Sequence, residues 1–257
     1  KIKRHDENTL KIGKMMVPRT LSLAISQINL VVVTALASNL ASGSLAVFNF
    51  ANNLQSFPIG IFGISFAIAA FPSLAATAFD EEKLTKNFSQ SFRQILFFIV
   101  PATVLIIVLR AQIIRVVLGS GKFDWQDTIL TMNTLGIFAI SLFAQATIPL
   151  LVRVFYARHN SRTPFYIGLF TVAVNTALAL YLAPRYGVIG LAFAYSIDNI
   201  LNFLLLWFWL STKVGELDIQ HILKSVFKFM ISALIAGASA QAAKSLVWPF
   251  IDMTKFS

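Results

Sequence analysis

The chain has 257 residues, of which 57% are hydrophobic and 12% charged, with a mean hydropathy of +0.74 and a formal net charge of +10. It contains no cysteine, which excludes disulfides and thiolate metal sites. No Asp, Glu, Lys or Arg occurs between Arg19 and Asp80, whereas one membrane span needs only about 20 apolar residues. The composition therefore predicts an all-α polytopic membrane protein.

Hydropathy and the breakers between apolar runs predict seven membrane spans. They cover residues 15–41, 45–78, 94–118, 128–152, 163–183, 188–211 and 226–247. The turns read ASGS at 41–44, GSGKFD at 119–124 and PRYG at 184–187. The chain begins with Lys and shows no signal peptide, and we expect it to be a fragment of a longer protein.

A polar segment, DEEKLTKNFSQSFRQ, lies between the second and third spans. Leu84, Phe88 and Phe92 recur in it every four residues, which places one apolar stripe on an otherwise charged helix. This pattern is typical of a helix lying in the plane of the lipid headgroups. The alternative is an ordinary solvated connector.

The basic residues predict how the chain is oriented in the membrane. A cytoplasmic N-terminus and an external C-terminus leave only six of the 21 Lys and Arg residues outside, namely Arg110, Arg115, Lys122, Arg185, Lys244 and Lys255. Topology and contact with anionic membrane lipids then account for the net positive charge without nucleic acid.

The second span carries a cluster of amides, formed by Asn49, Asn52, Asn53 and Gln55, just before Pro58. An unpaired amide in hydrocarbon is costly, so we expect this side of the helix to face protein or a water-filled cavity. Pro58 lacks a backbone donor and predicts a kink, which is either a hinge or simply a fixed bend.

A second polar stripe lies on the first span, where Arg19, Ser22, Ser26 and Asn29 share one helical face. The second span has a matching stripe at positions 49, 53, 56, 60 and 63. Because a short turn joins the two helices, both stripes can face a common space. Interhelical packing through small and amide side chains is the alternative.

Asp198 lies deep inside the sixth predicted span, with Asn199 and Asn202 beside it. An ionised Asp at the bilayer centre costs about 3 kcal/mol, so it should face the bundle interior, be paired, or be protonated. A cation or proton site and a polar residue satisfied by neighbouring amides are both open interpretations.

The sequence offers little support for an enzyme. The three His residues lie far apart in predicted cytoplasmic segments without metal-ligand spacing, and no GxGxxG, P-loop or nucleophile elbow occurs. No second membrane-level carboxylate can act with Asp198 as an acid and base pair. We therefore predict a binding and translocating protein without metal or cofactor, for which a membrane potential or a cation gradient is the candidate energy source.

Three motifs, in order and spacing, resemble the second half of the MurJ (MviN) lipid II flippases, which belong to the multidrug/oligosaccharidyl-lipid/polysaccharide exporter superfamily. They read ASGSLAVFNFANNLQSFPIGIFGISFAIAAFPSLA, LGSGKFDWQDT and RVFYARHNSRTPF, and the match covers roughly residues 15–211. The resemblance implies a two-lobed protein of the bacterial cytoplasmic membrane, each lobe a six-helix bundle. By alternating access it would move the undecaprenyl-pyrophosphate-linked peptidoglycan precursor outward.

The resemblance also implies three regions. Residues 1–14 are a basic cytoplasmic connector between lobes, residues 15–212 the C-terminal six-helix lobe, and residues 213–257 an additional membrane helix and tail. The N-terminal lobe of the same protein is the missing partner.

Two departures from the family pattern concern its sites. Many relatives have an arginine where this chain has Asn53, and Arg19 is the candidate to supply that charge. Some relatives hold sodium at positions that read Val33, Asn175 and Ala179 here, so only Asn175 is kept. The candidate substrate-binding residues are Arg19, Asn29, Asn49, Asn52, Asn53 and Gln55, and the candidates for a relocated ion site are Asn175, Asp198 and Asn202.

Two other functions stay open. A polysaccharide-lipid or multidrug exporter of the same superfamily would differ in the headgroup it binds. A membrane scaffold lobe without transport is favoured by the neutral residue at Asn53 and by the lost ion-site acids.

Overall fold

The computed structural model describes residues 20–21, 27, 29–118, 125–215 and 217–247, and the chain is helical through most of these ranges. The helices are α1 (Asn29–Ser38), α2 (Ser44–Pro58), α3 (Ser65–Ala76), α4 (Glu81–Leu118), α5 (Trp125–Ala157), α6 (Arg162–Tyr186), α7 (Val188–Val214) and α8 (Ile219–Val247). In this part of the chain six stretches are long and apolar enough to cross a membrane, with α2 and α3 forming one of them. The predicted all-α membrane fold is confirmed, while much of the predicted first span, including Arg19, lies outside the described residues.

The bend predicted at Pro58 takes the form of a π-helical segment, Ile59–Ile64, that joins α2 to α3. Pro58 has no backbone N–H to donate to the carbonyl one turn earlier, and a wider turn is a common way to absorb such a break. The hydroxyl of Ser65 donates to the Gly60 carbonyl at 3.0 Å. Residues 44–76 thus remain one continuous span.

The separate headgroup-level helix predicted for residues 80–94 is wrong. These residues form the beginning of α4, whose 38 residues extend about 57 Å at 1.5 Å per residue. The apolar stripe is real, but Leu84, Phe88 and Phe92 are buried rather than facing lipid. Phe92 packs against Trp207 of α7 with ring centroids 5.2 Å apart. The stripe therefore belongs to the core, because α7 covers it.

Helix α5 is the central element of the bundle, in contact with α2, α3, α4 and α7, while α6 packs on α7 and α8 packs on α4. Successive spans reverse direction, with α2 and α3 counted as one span. The α3–α4, α5–α6 and α7–α8 turns therefore meet at one end, which we call the basic end. Phe79 stacks on His159 there, with ring centroids 5.9 Å apart. The hydroxyl of Ser89 donates to Asp218 at 2.7 Å.

The core consists of two apolar clusters. One gathers α3, the first half of α4 and the second halves of α5 and α7. The other gathers α1, α2, the first halves of α5 and α7, and the end of α6. Along α5 the clusters meet at the buried polar residues Ser141 and Gln145. A polar layer therefore crosses the middle of an otherwise apolar bundle.

Candidate functional site

A cavity of about 740 Å³ opens among α1, α2, α3, α5, α6 and α7. Its walls combine apolar side chains such as Val33, Phe48 and Phe165 with an unusual number of polar ones. The polar side chains that line it are Asn29, Asn52, Arg153, Tyr156, Thr171, Tyr195, Asp198, Asn199 and Asn202. Such a mixture at membrane depth fits a hydrated binding chamber better than a lipid-facing surface.

Hydrogen bonds to the buried residues Gln55 and Gln145 fix the orientation of the Asn52 side chain. The Gln55 amide nitrogen donates to the Asn52 side-chain oxygen at 3.0 Å. Gln55 is itself fully buried, and its oxygen accepts from the Gln145 amide at 2.9 Å. The Asn52 oxygen thus has a partner on α2, and its NH₂ group is available as a donor to the cavity.

Asn29 on α1 is held in the same way from α6. The Asn175 amide nitrogen donates to the Asn29 side-chain oxygen at 3.2 Å, and Asn175 is only 1% exposed. The NH₂ group of Asn29 is therefore also directed to the cavity as a donor. Two asparagines on neighbouring helices thus present donors to one space.

Arg153 supplies the positive charge of the lining. One of its terminal nitrogens donates to the Pro149 carbonyl, one turn earlier in α5, at 3.1 Å, and the side chain is partly buried. A guanidinium carries five donors in a planar fork whose geometry matches phosphate oxygens. Arg153 and the two asparagines together form a surface suited to an anion.

Asp198 gives the same cavity an acceptor. Its side chain is 7% exposed, lies next to the Thr171 hydroxyl, and has one oxygen without a hydrogen-bond partner. The side-chain oxygen of Asn175 is likewise buried and unpaired. Within the described residues no group of three His, Cys, Asp or Glu side chains is placed to hold a metal ion.

The structure brings several of the predicted site residues together. Asn29, Asn52, Asp198 and Asn202 line the cavity. Gln55 and Asn175 lie directly behind them. The stripe predicted to face this space from the second span does not, because none of residues 49, 53, 56, 60 and 63 lines the cavity.

Two predicted residues lie elsewhere. Asn49 and Asn53 are exposed on the outer side of α2 and do not line this cavity. Their role in binding stays a prediction, as does that of Arg19, which lies outside the described residues.

Sequence reasoning missed four polar cavity residues, namely Arg153, Tyr156, Thr171 and Tyr195. Arg153 was counted with the basic residues that set topology, because it lies near the end of a span. Arg153 follows Pro149 by four residues, and residues four apart share a helix face. This spacing could have indicated that Arg153 faces the bundle. Pro149 lines the cavity as well.

The bundle of helices around this polar cavity has the architecture of about one half of solved membrane transporters. Solved transporters of this architecture match it. An outward-facing transporter of the multidrug MATE family superposes with a TM-score of 0.71 over 92% of this chain and 54% of its own, at 14% identity, which establishes the fold alone.

The family follows from closer matches. The model of the family described as Lipid II flippase MurJ matches residues 1–255, and the chain belongs to this family. A solved structure of "Lipid II flippase MurJ, inward closed conformation" superposes with a TM-score of 0.76 at 26% identity, over 91% of this chain and 50% of that one. The predicted resemblance is confirmed.

Curated relatives agree in name. A "Probable lipid II flippase MurJ" of Haemophilus influenzae is 29% identical over 254 residues, covering 96% of this chain and 48% of the relative. One from Rhizobium tropici is 32% identical over 203 residues, covering 77% of this chain and 38% of the relative. The chain thus spans about half the length, or less, of the relatives it matches. These relatives are named as transporters, not as enzymes.

Proposed function

We propose that this chain forms the C-terminal lobe of a flippase that moves undecaprenyl-pyrophosphate-linked peptidoglycan precursor from the inner to the outer leaflet. The observation that carries the proposal is the set of donors from Arg153, Asn29 and Asn52 in one cavity. A pyrophosphate needs many donors and a positive charge, and this surface provides both. The family supports lipid II over a different lipid-linked sugar or a drug.

The transport cycle follows from the same geometry. The headgroup occupies the hydrated cavity while the polyprenyl tail stays in lipid, and a second lobe, supplied by the other half of the protein, closes the opposite wall. Rocking of the two lobes changes the side to which the cavity opens. The lobes perform no covalent chemistry on the precursor. Asn49 and Asn53, which are exposed on α2, contribute from outside this cavity, and Arg19 adds a positive charge.

Replacement of Asn52 by Asp tests the anion surface, because it exchanges the NH₂ donor for an acceptor of the same size. In vesicles containing the full-length protein and fluorescent lipid II, we expect Asn52→Asp and Arg153→Gln each to slow flipping about tenfold or more. Asn39→Asp and Arg162→Gln, at exposed positions, are the matched controls. Unchanged flipping in both cavity variants would remove the proposal.

Arg19 needs its own test, since its charge is the proposed substitute for the arginine absent at Asn53. A full-length Arg19→Ala variant should fail to support growth of a cell depleted of its own flippase. Growth at the parent rate would exclude this role.

We also propose that the basic end faces the cytoplasm in a bacterial inner membrane. Residues at or near this end include Lys86, Arg158, Arg162 and Lys213, and basic residues beside spans are retained on the cytoplasmic side. The absence of cysteine gives a direct test. A single cysteine at His159 should react with a membrane-impermeant maleimide only in opened cells, and one at Ser42 should react in intact cells whose outer membrane has been permeabilised. The reverse pattern would invert the topology.

The unpaired oxygens of Asp198 and Asn175 support a second proposal, a monovalent cation site at the side of the cavity that Asn202 also lines. Buried oxygens without donors are ligands that a cation can satisfy. A cation gradient would then contribute to the energy of transport. In Asp198→Asn, the rate of flipping should no longer depend on the cation. A flipping rate that changes neither in this variant nor on removal of sodium would exclude the site.

A further inference from the structure

A second groove, of about 300 Å³, lies between α4 and α8 on the outer face of the bundle. Its polar wall consists of Gln90, Arg93, Gln94 and Ser225. Its other wall consists of Phe97, Phe98 and Phe229. None of these residues lines the central cavity, so the groove is a separate site.

Both helices change from polar to apolar at the level of this groove. On α4 the polar residues end at Gln94, and an apolar stretch extends from Ile95 to Leu109, broken only by Thr103. On α8 no charged residue occurs between Lys228 and Lys244, and a mostly apolar stretch begins at Phe229. The groove therefore lies across the boundary at which lipid headgroups give way to hydrocarbon.

The polar wall is positively charged and has donors to spare. Arg93 is partly exposed and makes one hydrogen bond, from Nε to the Ser89 carbonyl of its own helix at 3.3 Å. Among the described residues it forms no salt bridge within 4.0 Å, although its charge helps to lower the pKa of Asp218. Gln94 is exposed beside it, and Lys224 and Lys228 are exposed on α8 outside the groove lining. This arrangement complements a phosphate.

The aromatic wall is exposed at Phe97 and Phe98, whereas Phe229 packs partly against the core. Phe97 is 52% exposed and Phe98 is 37% exposed. Phe97 meets Phe229 edge to face, with ring centroids 5.3 Å apart, so the wall continues across both helices. A soluble anion would leave this surface unused, whereas an acyl chain would cover it.

We propose that this groove binds one anionic glycerophospholipid, with the phosphate at Arg93 and an acyl chain against Phe97, Phe98 and Phe229. The lipid links α4 to α8 and is a resident ligand of the lobe, distinct from the transported precursor. The proposal does not depend on the flippase function. It gives the predicted contact with anionic membrane lipids a definite location.

Native mass spectrometry of the full-length protein, titrated in detergent with phosphatidylglycerol or with phosphatidylcholine, tests the proposal. The protein should retain one phosphatidylglycerol at about a tenfold lower concentration than phosphatidylcholine. Arg93→Gln should abolish this preference. Arg185→Gln is the matched control, since Arg185 also donates to the carbonyl four residues earlier in its own helix but lies at the opposite end of the bundle.

A second variant, Gln94→Glu, keeps the test decisive if Arg93→Gln fails to fold. Gln94 is exposed, and a negative charge there should also remove the preference for phosphatidylglycerol. Three results would overturn the proposal. The first is equal binding of both lipids, and the second is an equal loss of the preference for phosphatidylglycerol in Arg93→Gln and Arg185→Gln. The third is that no lipid is retained, because another segment of the full-length protein covers the groove.

Discussion

Replacement of Gln145 by Leu should loosen the bundle at its polar layer. The Gln145 amide nitrogen donates to Gln55 at 2.9 Å, and its oxygen accepts from the Tyr195 hydroxyl at 3.4 Å. Leu has a similar volume and creates no large cavity, so the fold loses stability mainly because hydrogen bonds are removed. Hydrogen bonds between membrane helices average about 0.6 kcal/mol each, so the two together contribute about 1.2 kcal/mol.

The replacement also destabilises the fold through Gln55, which lies behind the cavity wall. Gln55 is 0% exposed, and without Gln145 its oxygen loses its partner, which costs at most about 2 kcal/mol more. The total expected loss is therefore between about 1 and about 3 kcal/mol in the free energy of unfolding. Because Gln55 also orients Asn52, flipping should slow as well.

Unfolding of the full-length protein in mixed micelles, titrated with sodium dodecyl sulfate, measures this loss. Gln241→Leu is the control, since Gln241 is exposed on α8. If Gln145→Leu unfolds at the same detergent fraction as Gln241→Leu, the polar layer does not stabilise the lobe and the reasoning is refuted.

Two further changes should weaken other contacts between helices. A Cβ at Gly63 would lie 2.7 Å from the Ala146 carbonyl oxygen, so Gly63→Ala should force the π-helical segment from α5 and cost about 1–3 kcal/mol in the same unfolding assay. At the basic end, the Ser89 hydrogen bond lowers the pKa of Asp218 below its ordinary value, against the effect of burial. A lowered pKa stabilises the fold above the ordinary value and ceases to do so as the pH falls through the lowered one. The difference in the free energy of unfolding between the parent and Ser89→Ala should therefore have its full size at about pH 6 and become smaller below about pH 4.

Each of these changes has a close control. Gly60→Ala lies in the same segment, where a Cβ would meet nothing within 4 Å, and it should be tolerated. A loss as large as that of Gly63→Ala would show that the segment itself, not the contact with α5, is sensitive. Ser91→Ala removes a hydrogen bond to the carbonyl of Asn87. The corresponding difference should not change with pH, and a constant difference for Ser89→Ala would contradict the assigned role of Asp218.

The helices could be predicted from the sequence because helical order in a membrane is local. In hydrocarbon every backbone donor must find an acceptor nearby, so a long apolar run is a helix wherever it packs. The predicted second to seventh spans therefore agree with the helices from α2 to α8 to within a few residues, apart from the longer beginnings of α4 and α8. The prediction for residues 80–94 failed because an apolar stripe has the same spacing whether lipid or α7 covers it.

The candidate site was only partly predictable. Polarity at membrane depth was enough to identify Asn29, Asn52 and Asp198, since an amide or carboxylate there must face something polar. It did not separate Asn52 from Asn53, because adjacent residues on a helix differ by about 100° in direction and only packing shows which one faces the cavity.

Composition and hydropathy alone determined that this chain is a helical membrane protein, and its motifs were sufficient to indicate the family. The tertiary structure decided what the polar residues do. Asn29 and Asn175 are 146 residues apart, and Gln55 and Gln145 are 90 apart, yet each pair shares a hydrogen bond that orients a donor toward one cavity. Those bonds depend on which helices are neighbours, and helix pairing is set by packing over the whole bundle rather than by any local pattern.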